Sequence, residues 1–219
     1  MRLRCGIGTL AIALAACGSS SAAPGSVSAP STSTASHQSS AVVCGLRGAP
    51  TLTATRLARV YEHRGAVYGC AMSGGRSYLL GGSRNCIATP LVQAVALAGQ
   101  LAAYGVERCG VDTGSAQVIV RRLSDGQQLR ESSAVTGQVG PESHQSVDSV
   151  VLRADGAVAW IVQADSIIRH SSEVEVNRAD RRGEAQLDSG PEIAPRSLRL
   201  RGSTVTWTHS GSVRSATLL

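Results

Sequence analysis

The sequence predicts an all-β domain over residues 44–219, and two observations carry that prediction. First, apolar residues alternate over short segments separated by turn residues roughly every 8 to 12 positions, and no long segment keeps a helical period. Second, one unit recurs four times: an apolar strand runs into glycine, and a following strand ends in an aromatic residue. Together these observations predict a fold of repeated β-hairpins.

The four copies of this unit are VYEHRGAVY, LAGQLAAY, LRADGAVAW and LRLRGSTVTW, at residues 60–68, 97–104, 152–160 and 198–207. Their glycines suit hairpin turns, where a positive φ is often required: Gly65, Gly99, Gly156 and Gly202. A second hairpin follows each copy, within residues 71–80, 118–129, 174–187 and 208–219. Each repeat is therefore predicted to contain four strands. Trp160 and Trp207 hold equivalent positions, which favours core packing between repeats over ligand binding.

Four-stranded repeats with a period of roughly 40 to 50 residues resemble the blades of bacterial extracytoplasmic β-propellers, the TolB-like or WD40-like group. The resemblance covers residues 50–219 and implies a small or partial propeller. We expect residues 51–55 to pair with the last repeat if the ring closes. A β-sandwich of two packed sheets is the alternative fold.

The first sixteen residues have the parts of a bacterial export signal. Arg2 and Arg4 precede an apolar run from Ile7 to Ala16, which is too short to span a bilayer. The sequence Leu-Ala-Ala-Cys at 14–17 resembles the lipobox of bacterial lipoproteins, which implies that Cys17 is acylated and begins the mature chain. An ordinary signal peptide, cut near Ala16 or Ala23, is the alternative.

Residues 17–43 are predicted to form a lipid-anchored, disordered tether. The stretch after Cys17 is rich in Ser, Ala, Thr, Pro and Gly, so it cannot bury enough apolar area to fold. A lipid anchor followed by such a spacer holds a domain away from a membrane. We therefore expect an exported protein, anchored through Cys17 to the outer face of the bacterial cytoplasmic membrane or cell envelope.

Charge and motif content narrow the function classes. The chain has 21 basic residues, all arginine, and a formal net charge of +6, but no block of five or six like charges. A nucleic-acid partner is therefore not predicted. No phosphate-binding loop, dinucleotide fingerprint or serine-hydrolase elbow appears, so no cofactor is predicted. The five histidines are widely separated and are expected at the surface, and no metal-binding motif is present.

Four cysteines fall within the predicted domain, and they allow three pairings. In the hairpin predicted to turn near Gly99, Cys86 and Cys109 lie at comparable distances on either side of the turn. They can therefore meet at its open end, whereas Cys70 and Cys86 are poorly placed as neighbours. We predict the disulfide Cys86–Cys109 and, by elimination, Cys44–Cys70.

Asp112 is the one candidate catalytic residue. The sequence Asp-Thr-Gly-Ser at 112–115 resembles the active-site motif of aspartic proteases, where paired aspartates share a proton. The resemblance covers residues 111–120 only, and these residue types are also typical of a turn between strands. The preferred prediction is a non-catalytic binding or surface module for an unknown protein or small molecule. An exported hydrolase that uses Asp112 is the alternative.

Overall fold

The computed structural model describes residues 44–111, 113–137, 143–166 and 170–219, and this part of the chain is all-β. The predicted signal peptide (1–16) and tether (17–43), including Cys17, lie outside the described residues. Within the described ranges there is no helix long and apolar enough to cross a membrane.

The strands follow one another as four consecutive meanders, which we call repeats one to four. Repeat one has β1 (Thr51–Ala54), β2 (Ala58–His63), β3 (Ala66–Ala71) and β4 (Ser77–Gly82). Repeat two has β5 (Leu91–Ala98), β6 (Leu101–Cys109), β7 (Gly114–Arg122) and β8 (Gln128–Ser133). Repeat three has β9 (Ser143–Leu152), β10 (Val158–Ser166), β11 (Ser171–Asp180) and β12 (Gly183–Ser189). Repeat four has β13 (Arg199–Arg201), β14 (Thr204–His209) and β15 (Ser212–Thr217).

Neighbouring strands within each repeat are antiparallel, and the described strands form three sheets. Repeats one and two join into one eight-stranded sheet through a single parallel pairing, Gly82 with Leu91. Repeat three is a four-stranded sheet and repeat four is a three-stranded sheet. The four glycines predicted to make turns all have positive φ. The all-β prediction is confirmed, whereas none of the three sheets closes on itself and the two-sheet sandwich is not observed.

Three hydrophobic clusters lie between successive repeats. The first joins Val60, Val67 and Leu80 of repeat one to Tyr104 and Ile119 of repeat two. The second joins Val118 and Val120 of repeat two to Val147 and Trp160 of repeat three. The third joins Ile161 and Val176 of repeat three to Val205 and Trp207 of repeat four. The repeats are therefore stacked face to face, and both tryptophans pack between repeats as predicted.

Strands of the middle repeats are covered on both faces, and this accounts for the continuous apolar runs in their sequences. In β10, Trp160 contacts the cluster shared with repeat two, while its neighbour Ile161 contacts the cluster shared with repeat four. A strand that is covered on both faces needs apolar residues at consecutive positions, not at alternate ones. The same holds for β6, where Ala103 and Tyr104 belong to different clusters.

The predicted alignment of repeat one is wrong by one strand. The turn at Gly65 joins β2 to β3, whereas the turn at Gly99 joins the first two strands of repeat two. Tyr61 on β2, not Tyr68 on β3, therefore corresponds to Tyr104, Trp160 and Trp207 on the second strands of their repeats. The sequence TLTA of β1 is short and only partly apolar, so the sequence pattern did not identify β1 as the first strand of repeat one. The β2–β3 hairpin was therefore aligned with the first hairpins of the other repeats.

The pairing of residues 51–55 with the last repeat, which a closed ring would require, is not observed. β1 pairs with β2 of its own repeat, and no hydrophobic cluster in the described ranges joins repeat four to repeat one. Residues 44–50 instead cover Tyr61, and the Arg59 guanidinium binds this segment through the carbonyls of Cys44, Leu46 and Ala49. We call residues 44–50 the cap segment, because it occupies the face where a preceding repeat would pack.

The outer face of repeat four is mostly polar, and Val213 is its exposed apolar residue. Val205 and Trp207 point into the cluster with repeat three, and the alternate positions on β14 are the threonines Thr204, Thr206 and Thr208. On β15, Ser215 and Thr217 are the cross-strand neighbours of Thr206 and Thr204. Stacks of β repeats stay soluble when their terminal units present a polar outer face.

Candidate functional site

Hairpin turns of repeats two, three and four gather at one end of the stack, which we call the turn end. The turn between β9 and β10, at Arg153–Ala157, lies at its centre. On one side it shares a cavity with Gly99 and Leu129 of repeat two, and on the other side it shares one with Gly202 of repeat four. Short loops from three repeats therefore enclose a common concave surface, a usual position for a binding site.

One cavity at the turn end is lined largely by charged side chains and has a volume of about 530 Å³, and we call it the arginine cleft. Three arginines and two aspartates line it together with Ala157, Ser203 and Leu219: Arg130, Arg153, Arg181, Asp155 and Asp180. Because these residues come from repeats two and three and from the end of repeat four, no local motif in the sequence marks them.

Asp180 organises the wall of the arginine cleft. Its side chain is fully buried, and its carboxylate forms ion pairs with Arg178 (2.5 Å) and Arg182 (2.9 Å). The backbone N–H groups of Arg182 and Leu219 also donate to it, at 2.8 and 3.0 Å. Burial alone would raise the pKa of Asp180, but these hydrogen bonds and the Arg178 charge hold it well below its usual 3.8. Asp180 is therefore an anion whose charge is fully compensated within the protein.

The arginines of the cleft differ in how their charges are satisfied. Arg153 pairs with Asp155 at 3.1 Å and also donates to the carbonyl of Leu218. Arg130 makes one long hydrogen bond, 3.5 Å to the carbonyl of Asp180, and Arg181 uses its backbone N–H to bind the carbonyl of Leu219. Among the described residues, no carboxylate side chain pairs with the guanidinium of Arg130 or Arg181. Neither guanidinium is therefore held in an ion pair with a described side chain.

Asp112, the sequence candidate for catalysis, lies outside the described residues, but its flanks define the local chain path. β6 ends at Cys109 and β7 begins at Gly114, so residues 110–113 connect two antiparallel neighbours. The N–H of Gly110 donates to the carbonyl of Thr113 at 2.6 Å. The end of β6 and the start of β7 therefore lie at the end of the stack opposite the turn end.

The structure contains two disulfides with the pairing predicted from the sequence, Cys44–Cys70 and Cys86–Cys109. Cys44–Cys70 is buried beneath the cap segment and joins it to β3. Cys86–Cys109 is partly exposed and joins the connection between β4 and β5 to the end of β6. Disulfides of this kind are typical of proteins in an oxidising, extracytoplasmic compartment.

His209 corrects the expectation that every histidine lies at the surface. Its side chain is only 14% exposed, and its Nδ1 lies 2.9 Å from Asp188, which also accepts a hydrogen bond from Trp207 and an ion pair from Arg214. Burial alone would raise the pKa of Asp188, but the hydrogen bonds from Trp207 and His209 lower it overall. These contacts join β12 to repeat four.

Sequence reasoning missed the arginine cleft because its residues read individually as solvated surface or turn residues. Asp155-Gly156 is indeed a turn, with Asp155 Oδ1 accepting the N–H of Ala157 at 3.1 Å. What the sequence does not show is that Arg130, Arg153 and Arg181 converge. The only local signal was the recurrence of arginine within two residues of several hairpin turns.

Two comparisons with known proteins give no assignment. A scan against models of protein families matches none of them, and a search of curated protein sequences finds no significant relative.

Proposed function

We propose that this chain is an exported lipoprotein whose β-repeat domain binds a small multivalent anion in the arginine cleft. The observation that carries the binding proposal is that Arg130 and Arg181, which form no ion pair with any described side chain, line a cavity large enough for a small molecule. The lipobox resemblance at residues 14–17 and the long polar tether support anchoring at the outer face of a membrane.

The charge distribution favours an anion over a neutral or apolar ligand. The two aspartates of the cleft are neutralised by arginines of the protein, Asp155 by Arg153 and Asp180 by Arg178 and Arg182. The remaining arginines can therefore donate to carboxylate or phosphate oxygens without competition from a side-chain carboxylate. Arginine presents several N–H donors in a planar array, which suits these anions.

The turn end also gives the cleft a fixed shape. Asp180 anchors the turn that carries Arg181, and Ser203 and Leu219 belong to repeat four on the other side. A ligand in the cleft would thus contact three repeats whose relative positions are set by buried clusters. A rigid, preorganised site loses little conformational entropy on binding.

Isothermal titration of the full-length chain tests the ligand class, with citrate and inorganic pyrophosphate as multivalent probes and acetate as a monovalent one. We expect saturable binding of a multivalent probe at low ionic strength that weakens as salt is added. Arg181→Gln removes a charge-assisted hydrogen bond, so affinity should fall about 10- to 100-fold, equivalent to about 1.5–3 kcal/mol.

Arg56→Gln is the matched control, because Arg56 is exposed, makes no ion pair in the described residues and lies outside the cleft. It should leave the affinity within twofold of the original. The absence of saturable binding by either multivalent probe, or an equal loss in both variants, would reject the cleft as an anion site.

The anchor is tested separately by growing a bacterial host with radioactive palmitate while it produces the full-length chain. We expect the label to enter the protein and to disappear in Cys17→Ser. Loss of Cys5 by the substitution Cys5→Ser should leave the labelling unchanged. An unlabelled wild-type protein would refute the anchor without affecting the binding proposal.

A further inference from the structure

The end of the stack opposite the arginine cleft, which we call the connection end, gathers a different set of side chains. The Cys86–Cys109 bridge lies there, next to Glu107 on β6 and His144 at the start of β9. The ligand atoms of Cys86, Cys109 and Glu107 all lie within 4.8 Å of one another. His144 Nδ1 lies 3.7 Å from Glu107 Oε1, so a fourth donor adjoins the group.

Three of the donors already lie within 4.8 Å of one another, and tetrahedral coordination requires that the two sulfurs separate and that His144 moves towards them. Zinc holds thiolate sulfur at about 2.3 Å and imidazole or carboxylate at about 2.0–2.2 Å, which places neighbouring ligand atoms about 3.3–3.8 Å apart. The distance from Cys109 Sγ to Glu107 Oε1 is 4.0 Å. Two sulfurs, an imidazole and a carboxylate are a ligand set that suits Zn²⁺ better than Ca²⁺ or Mg²⁺.

A chain of two hydrogen bonds orients the Glu107 carboxylate. It engages one carboxylate oxygen, and the other oxygen faces the cysteines. The N–H of Val147 donates to Gln93 Oε1 at 2.7 Å, and Gln93 Nε2 donates to Glu107 Oε2 at 3.0 Å. The other oxygen, Oε1, is the one nearest to Cys109 and His144. Outer partners of this kind fix the direction of a ligating carboxylate.

Gly114 provides the space in which Glu107 and His144 approach each other. A Cβ atom at this position would lie 2.7 Å from Glu107 Oε1 and 3.0 Å from His144 Nδ1. The backbone of β7 therefore passes directly behind the two groups, and only glycine leaves room for them. Gly114 does not have a positive φ, so the backbone conformation does not require glycine at this position. The close approach of Glu107 and His144 does.

We propose that reduction of the Cys86–Cys109 disulfide converts the connection end into a zinc site formed by Cys86, Cys109, Glu107 and His144. A dithiol reductant transfers two electrons and two protons to the bridge, which yields two thiols and leaves the reductant as a cyclic disulfide. Zn²⁺ then replaces the two thiol protons, which are released to solvent, and binds both thiolates. Oxidation of the thiols expels the metal, so the site exists only in the reduced state.

The two disulfides differ in the access that a reductant has to them. Cys44 and Cys70 are 3% and 0% exposed beneath the cap segment, whereas Cys86 and Cys109 are both partly exposed. An exposed bridge is reached by an attacking thiolate more readily than a buried one. Mild reduction should therefore open Cys86–Cys109 first and leave the cap segment attached.

The test uses the full-length chain with Cys5→Ser and Cys17→Ser, so that the four paired cysteines are the only ones present. After mild reduction and removal of the reductant, the protein is titrated with Co²⁺, whose thiolate charge-transfer absorption reports sulfur ligation, and then with Zn²⁺. We expect one equivalent of Co²⁺ to bind the reduced protein, Zn²⁺ to displace it, and the oxidised protein to bind none. Mass mapping of alkylated thiols should show Zn²⁺ protecting Cys86 and Cys109.

Ligand variants assign the individual donors. Glu107→Gln and His144→Ala should each weaken Co²⁺ binding at least tenfold and change its spectrum, and Gly114→Ala should also weaken it. Cys44→Ala combined with Cys70→Ala should retain the site. The proposal fails if the reduced protein, shown to be folded by circular dichroism, binds no stoichiometric Co²⁺. It also fails if Co²⁺ binding is unchanged in both Glu107→Gln and His144→Ala. Loss of Co²⁺ binding when Cys44 and Cys70 are replaced would reject it as well.

Discussion

Asp180 and Arg182 form an ion pair of 2.9 Å across the turn between β11 and β12, and the carboxylate in it has no exposure to solvent. The same guanidinium donates to the carbonyl of Thr217 at 2.5 Å, and Asp180 accepts the N–H of Leu219. The pair therefore fixes the end of repeat four to repeat three by polar contacts, in addition to the hydrophobic cluster between them.

We expect Asp180→Asn to destabilise the domain by about 2–4 kcal/mol at neutral pH, because it leaves Arg178 and Arg182 without their common anion. The folded state lowers the pKa of Asp180, so its contribution is complete above 3.8 and is lost as pH falls below that value. Urea unfolding at several pH values should show the deficit of the variant shrinking in acid. A deficit independent of pH would contradict this account.

Asp148→Asn, in contrast, should raise the free energy of unfolding at neutral pH. Burial raises the pKa of Asp148 above 3.8, and its Oδ2 is buried without a hydrogen-bond partner in the described residues. A raised pKa means that the wild type is most stable below the unfolded pKa and loses stability as pH rises through the folded one. The variant should thus gain about 1 kcal/mol at neutral pH and nothing in acid, as measured by the same urea titrations.

Gly105→Ala should cost about 1–3 kcal/mol, because the new methyl group would lie 2.5 Å from Val147 Cβ and force repeats two and three apart. Gly74→Ala is the matched control, since a Cβ at that position meets no atom within 4 Å and its φ is not positive. The control should change the unfolding free energy by less than about 0.5 kcal/mol. Equal effects in the two variants would argue against tight packing at Gly105.

The two disulfides close loops of similar length, with sequence separations of 26 and 23 residues, so chain entropy alone predicts about 3–4 kcal/mol for each. Replacing Cys44 and Cys70 by Ala should cost more than this, because it also loosens the cap segment over Tyr61. Replacing Cys86 and Cys109 by Ala should cost no more than the entropic value. Chemical denaturation of both double variants compares them directly, and the reverse order would show that the cap segment adds no stability.

We expect no Asp112-dependent proteolysis. The residue types at 112–115 are typical of a turn between strands, and a protease of the kind that this motif resembles needs a second aspartate beside the first. Unfolded casein incubated with the full-length chain at acidic and neutral pH should give the same fragments with the wild type and with Asp112→Asn. Cleavage that is lost in the variant would establish the hydrolase alternative.

Much of the fold was predictable because both hairpin chemistry and strand patterning are local. Gly65, Gly99, Gly156 and Gly202 have the positive φ that the sequence predicted, and the pairing of Cys86 with Cys109 followed from the position of one turn. The alignment of repeat one failed because β1 is short and polar, so its partner β2 was counted as the first strand.

The sites were less predictable than the fold. In the arginine cleft, Arg130 is separated from Arg181 by most of repeat three. At the connection end, His144 follows Cys109 by 35 residues in the sequence. Their convergence depends on how the repeats stack, and stacking is decided by shape complementarity between sheets that no short motif encodes. Ring closure was beyond the sequence for the same reason, because the cap segment competes for the face it would need.

The Cys44–Cys70 bridge also determines how the domain responds to mechanical load. A pull applied through the chain before Cys44 passes across the sulfur bond into β3, an interior strand, and bypasses β1 and β2. The residues between the two cysteines cannot be drawn out while the bond is intact. Force is therefore shared among the backbone hydrogen bonds on both sides of β3, so resistance to extension depends on the redox state of one buried bond.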